Sequence, residues 1–296
     1  MGLLIQPAIA WSDVFSFEDY GELLVLMRNP LIAAIALGIV GGLIGVFIMQ
    51  RDMAFAVHGI SELSFAGAAL ALLVGGSVVF GSLAGAIVAA LIIGLLGARA
   101  RDRNSIVGVL MPFGLGLGIL FLSLYEGRSA NRFSLLTGQI VAVGDTDLAW
   151  LLGISAVVFV GLIVVWNPLR FDSLDPQSAE ARGLPVQGLS LVFMLLLGAI
   201  VAAAVHIIGA LLVMALLVTP AAAAMRIAHG PVAVPLLSAA FGLVSAAGGI
   251  LLAIAGTLPV SPYITTISFA IYLVCRIVAW RRDRVVASRR TRAEAH

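Results

Sequence analysis

His58 and Glu62 stand four residues apart in an otherwise apolar stretch that runs from Arg51 to Gly67. On a helix that spacing stacks an imidazole and a carboxylate on one face. These are ligand types for a divalent transition metal ion. If Arg51 marks a membrane surface, the helical rise puts His58 about 10 Å deep and Glu62 about 16 Å deep. In a hydrocarbon layer roughly 30 Å thick, Glu62 then lies close to the middle. An acid at that depth costs several kcal/mol unless something offsets it, so it is a candidate for function. The alternative is a hydrogen-bonded pair that only joins two helices.

The elements that hold this pair must be membrane helices. The chain has 296 residues, of which 61% are hydrophobic and 11% charged, against about 25% charged in soluble domains. Mean hydropathy is +1.14. Thirty-two glycines suit closely packed membrane helices. The single Cys275 excludes an internal disulfide and a multi-thiolate metal site. All 17 basic residues are arginine. With no lysine, no phosphate-binding GxxxxGK[ST] loop can form, so any ATP-driven work needs another subunit. The pI near 9.1 stems largely from a C-terminal arginine tail, which reads as a cytoplasmic anchor and not as a nucleic-acid site.

Apolar spans are expected at about 24–49, 54–76, 78–97, 106–124, 147–166, 189–205, 207–226, 232–255 and 262–280. The stretch 189–226 has no polar break, and its division rests on length, so the total is eight or nine. Residues 1–23 are expected to form an interfacial segment outside, with no signal peptide. Residues 24–280 form the membrane domain, and 281–296 the inner tail. With nine spans and the N-terminus outside, thirteen arginines fall inside and three (Arg28, Arg128, Arg132) outside. The bias places the C-terminus in the cytoplasm. Outside, residues 125–146 suggest a re-entrant or gate-forming loop with Gly138, Asp145 and Asp147. Inside, 167–188 contains a short helix signal: Asp175 as cap, Pro176 at the first position, Gly183 as terminator. Such a knob is something a partner protein can push against.

The chain resembles the permease subunits of the zinc/manganese/iron uptake ABC transporters, the ABC-3 family, from about Met27 to Ile277. The resemblance is carried by Arg51 to Ala54 with Ile60, Ser61 and Gly67, and by Leu136 to Leu148. It continues through Ala181 to Pro185 and Gly209 to Ala224. It implies an all-α permease fold like that of vitamin B12 and siderophore importers, in the bacterial cytoplasmic membrane. It also implies a second copy of the permease, with a path for zinc or manganese at their interface, and no permanently bound cofactor. Cytoplasmic ATP-binding subunits would carry the ATP, and an external metal-binding protein would deliver the ion. Asp175, Ala179, Glu180, Ala181, Arg182 and Gly183 would then seat in the ATPase. The usual family pattern has Asp and His four apart at the position of His58 and Glu62. Here the carboxylate and imidazole exchange places, so the family pattern alone does not name the ion.

Other polar residues have plainer readings beside the functional ones. His206 reads either as a wet interfacial histidine or as a ligand at the outer mouth. His229 reads as a solvated turn residue. Asp145 and Asp147 read as helix caps, the alternative being contact with the external binding protein. Ser61 and Ser64 are expected to bond back to their own helix. No Ser/His/Asp set or His-Glu-x-x-His motif supports hydrolysis, so an enzyme is not expected. Two rivals to an ATP-driven importer are a proton-coupled metal carrier using His58 and Glu62, and a membrane-interaction partner without transport.

Overall fold

The computed structural model describes residues 20–97, 100–127, 143–210, 212–256 and 259–293, with backbone alone for 100–102 and 285–293. The described residues are helical throughout their regular structure. In order, α1 is Tyr20–Leu26, α2 Arg28–Gln50, α3 Ala54–Leu73, α4 Val78–Leu96, α5 Ala100–Leu124 and α6 Asp145–Leu174. Then come α7 Pro176–Ala181, α8 Val186–Ile208, α9 Val213–Leu217, α10 Thr219–Ile227, α11 Ala233–Ala255 and α12 Val260–Ala293. Eight of these are long and apolar enough to cross a membrane: α2 to α6, α8, α11 and α12.

The centre of the bundle is α2, α3 and α8, whose apolar windows are 67%, 72% and 72% buried; α6 and α12, at 22% and 17%, lie at its periphery. Without a hydrophobic force between helices in lipid, close packing must come from small residues and shared polar groups. Gly42 meets the backbone of α11 so tightly that a Cβ would lie 2.5 Å from the Ser238 carbonyl. The Ser238 hydroxyl in turn donates to the Gly42 carbonyl at 2.6 Å. On the other side α3 is fixed to α4 and α8 by a chain of hydroxyls. Ser64 and Ser82 Oγ atoms are 2.7 Å apart, and Ser82 donates to the Ala202 carbonyl at 3.3 Å. The helix carrying His58 and Glu62 is thereby held at a defined depth and rotation.

The stretch 189–226 divides later than expected. α8 runs on through His206 to Ile208 and stops at Gly209, whose φ of 87° and ψ of 155° suit glycine and almost nothing else. The chain then returns as α9 and α10, only 15 residues between Val213 and Ile227. Contacts with α12 show that it crosses the bundle. Ser261 donates to the Ile208 carbonyl, Ser268 to Ala215, and Arg282 to Ile227 at the far end. The described chain thus makes nine passes, eight long and one short.

Two other expectations change. The segment 167–188 is not mostly loop: α6 continues past Pro168 to Leu174, as membrane helices tolerate an internal proline. The tail beyond 281 extends α12 as helix to Ala293. At the same end of the bundle lie Arg51, Arg103, Arg170, Arg182 and Arg282. Residues 1–19 and 128–142, with Gly138, lie outside the described residues.

Candidate functional site

His58 and Glu62 occupy the second and third turns of α3, so Glu62 is the ninth of its twenty residues. The spacing does what a helix requires: His58 Nε2 lies 3.5 Å from Glu62 Oε1. That is long for a hydrogen bond but close to the separation of two ligands that each reach a metal at about 2.1 Å. The Glu62 side chain is 3% exposed and that of His58 25%, so the pair points into the protein with the imidazole at its rim. Glu62 Oε2 and His58 Nδ1 are buried without a hydrogen-bond partner among the described residues. A buried carboxylate in that condition carries an unmet desolvation cost, which a cation would offset.

Close helix packing holds the carboxylate in place. Gly114 of α5 packs on the backbone at Glu62 and Leu63, and Gly118 receives the ring of Phe65. Ser61 Oγ donates to the His58 carbonyl at 2.8 Å, as expected, but Ser64 turns across to α4 instead of back to its own helix. Among the described residues no group of three His, Cys, Asp or Glu side chains could together hold an ion. Neither His58 nor Glu62 lines any of the four cavities described here.

His206, in the last turn of α8, is only 7% exposed, which removes the reading of a wet interfacial histidine. Its Nδ1 has no hydrogen-bond partner among the described residues, and the Asp147 carboxylate is near enough for its charge to act on the ring. It is not gathered with His58 and Glu62. Asp145 and Asp147 do not cap α6, whose N-terminus has no side-chain cap bond. Asp145 instead accepts from Asn29 Nδ2 of α2 at 2.7 Å. His229 is exposed, its Nε2 3.2 Å from Arg282 Nη2, in keeping with a turn residue.

At the arginine-rich end, the Asp175 side chain accepts from the Ser178 amide at 3.1 Å and from its hydroxyl at 2.5 Å. These bonds hold its carboxyl below the usual range. Gly183 has a φ of 79°, which ends the turn. Ala179 is buried, whereas Glu180, Ala181, Arg182 and Gly183 are exposed. The residues sequence reasoning missed lie beside this knob: Arg51 Nη2 contacts Asp172 Oδ2 at 2.7 Å, with side chains 10% and 1% exposed. In the sequence Arg51 marks the membrane surface and helps carry the family resemblance, with no partner assigned to it. Nothing in a single sequence links positions 121 apart.

A bundle that turns an acid and an imidazole inward at mid-depth has the build of a membrane permease. The chain belongs to the ABC 3 transport family, whose profile it matches over residues 24–279. It is similar to the manganese transport system membrane protein MntC of Halalkalibacterium halodurans, 35% identical over 225 residues, covering 76% of this chain and 77% of that one. It is also 28% identical to the manganese import system permease protein ScaB of Streptococcus parasanguinis, over 90% of this chain and 95% of the other. Among solved structures, PsaBC from Streptococcus pneumoniae in complex with Fab superposes with a TM-score of 0.78 at 28% identity, covering 88% of this chain and 95% of that one. A metal-chelate type ABC transporter in an inward-facing conformation superposes at 0.69 and 17% identity, covering 88% and 90%, a likeness of fold. The protein is therefore a cell-membrane permease subunit and not an enzyme; ATP hydrolysis falls to a separate subunit.

Proposed function

We propose that the protein moves a divalent transition metal ion, manganese before zinc, inward across the cell membrane, with His58 and Glu62 as its ligands in transit. The observation that carries this reading is the buried pair itself. A nitrogen and a carboxylate oxygen lie 3.5 Å apart near mid-span, each side chain with one unpartnered polar atom. The names of the relatives favour manganese. An imidazole beside a carboxylate suits a borderline ion better than Ca²⁺ or Mg²⁺, which take all-oxygen shells. Two ligands leave the shell open. Water, backbone carbonyls or the same pair from a second copy complete it, and weak coordination lets the ion leave.

In this reading the arginine-rich end faces the cytoplasm. There Glu180 to Gly183 offer an exposed knob to ATP-binding subunits, and an external protein supplies the ion at the opposite end. Approach of the ATP-binding subunits rocks the spans so that one side opens at a time. The test is uptake of radioactive manganese by liposomes holding the permease with its ATP-binding partner, with the external metal-binding protein supplied outside. Uptake should need internal ATP and should fall at least about tenfold in His58→Ala or Glu62→Gln, one lost ligand being worth about 1.4 kcal/mol or more. Uptake driven by a proton gradient without ATP would overturn the reading in favour of a secondary carrier.

A further inference from the structure

We propose that the Arg51–Asp172 ion pair is the joint through which movement of α7 reaches the helix that carries His58 and Glu62. The inference rests on the function proposed above and adds residues that act by position. Asp172 lies three residues before Asp175, the cap of α7, and Arg51 lies three residues before Ala54, where α3 begins. A single contact of 2.7 Å therefore spans 121 positions of sequence and joins the two segments that must move together.

Neither connection has slack. Asp175 ends α6 and caps α7 in one residue. Arg51 ends α2, and the turn into α3 is closed by Arg51 N to Phe47 O at 3.0 Å and Met53 N to Ile48 O at 2.8 Å. Asp52 holds a left-handed φ of 52° in that turn. The Arg51 guanidinium rests on the Phe193 ring of α8 at 5.3 Å, and Arg103 Nη2 of α5 holds the Arg51 carbonyl at 3.1 Å. A push on α7 then has a stiff route to α3.

Burial makes the pair resist separation, because parting it would strand a charge away from water. Yet the pair is not fully satisfied. Arg51 Nη1, Asp172 Oδ1 and Arg103 Nε are buried without partners among the described residues. Pairs retained only for stability are expected to be completed. Arg51, Arg103 and Asp172 themselves line a cavity of about 640 Å³, together with Asp52 and Gln187 among others. That space leaves room for α6 to shift against α3, so the joint can hold more than one arrangement, as a coupling element needs.

The permease is purified with its ATP-binding partner, placed in liposomes, and assayed for manganese uptake and phosphate release in one sample. Asp172→Asn is expected to keep hydrolysing ATP while manganese moved per ATP falls roughly fivefold or more, the size of a broken coupling. Asp172→Glu, which keeps the charge, should recover part of that ratio. If Asp172→Asn loses uptake and hydrolysis in step, the pair is merely structural and the inference is overturned. Should Asp172→Asn not assemble, Asp172→Glu decides by itself: with the joint displaced by one methylene, an unchanged ratio also overturns it. A wild-type complex with no ATP-driven uptake would sink the proposed function first, so the two failures are told apart.

Discussion

At the level of single residues, the unusual group is Glu62, an acid with an unpartnered oxygen in the middle of a membrane helix. Removing its charge should not harm the fold, because a buried carboxylate that has only a long contact to His58 and one oxygen left open destabilises its surroundings. We expect Glu62→Gln to unfold in detergent at the same temperature as the wild type or above it, even though transport fails. A lower unfolding temperature would make the carboxylate a structural group after all. The glycines divide just as sharply. Gly42→Ala would drive a methyl into the Ser238 carbonyl and should cost about 1–3 kcal/mol. Gly108→Ala, where a methyl meets nothing within 4 Å, should be neutral or gain up to about 1 kcal/mol from helix propensity. Thermal unfolding of the two variants side by side checks the pair.

Between residues and whole molecule stand the helices, and here legibility followed sequence distance. The His58–Glu62 face and the Asp175 cap were visible because each depends on contacts four residues apart or fewer. The cap is also where pH should be felt. Ser178 depresses the Asp175 carboxyl, so the cap is complete above the ordinary carboxylate range and is lost as pH falls through the lowered value. Hydrogen exchange at the α7 amides should speed up in Asp175→Ala but hardly in Asp175→Asn, which can still accept from Ser178. What could not be read was anything made by distant helices meeting. Ser64 reaching Ser82, Asp145 reaching Asn29, and Arg51 reaching Asp172 all depend on packing that no local rule encodes. The end of α8 was misplaced for a related reason. In an apolar stretch whose one mark is the neighbourhood from His206 to Gly209, nothing local says which of its residues turns the backbone.

On the scale of the whole protein, the arrangement divides into an arginine-rich end with α7 and an opposite end where α6 starts. If the first is cytoplasmic, a thiol at Glu180→Cys, with Cys275→Ala, should react with a membrane-impermeant maleimide only in inside-out vesicles. Glu126→Cys should react only in right-side-out ones. Both residues are exposed in the structure. The reverse labelling pattern would invert the molecule and with it the direction of every step proposed here.

The short ninth pass carries a demand of its own. Met214, Val218, Ala222 and Met225 recur every three or four residues and stay only half covered, beside a stretch that loses helical form at Gly209. Its 15 residues reach about 21 Å, too little to bridge fat unaided. Oil offers no donor or acceptor to a peptide group left open, so this flank has to lean on protein or on water. Brominated lipids should quench a tryptophan placed on the outward side of α12 and leave one at Ala222 bright. That is the signature of a wall that was never built to be greased.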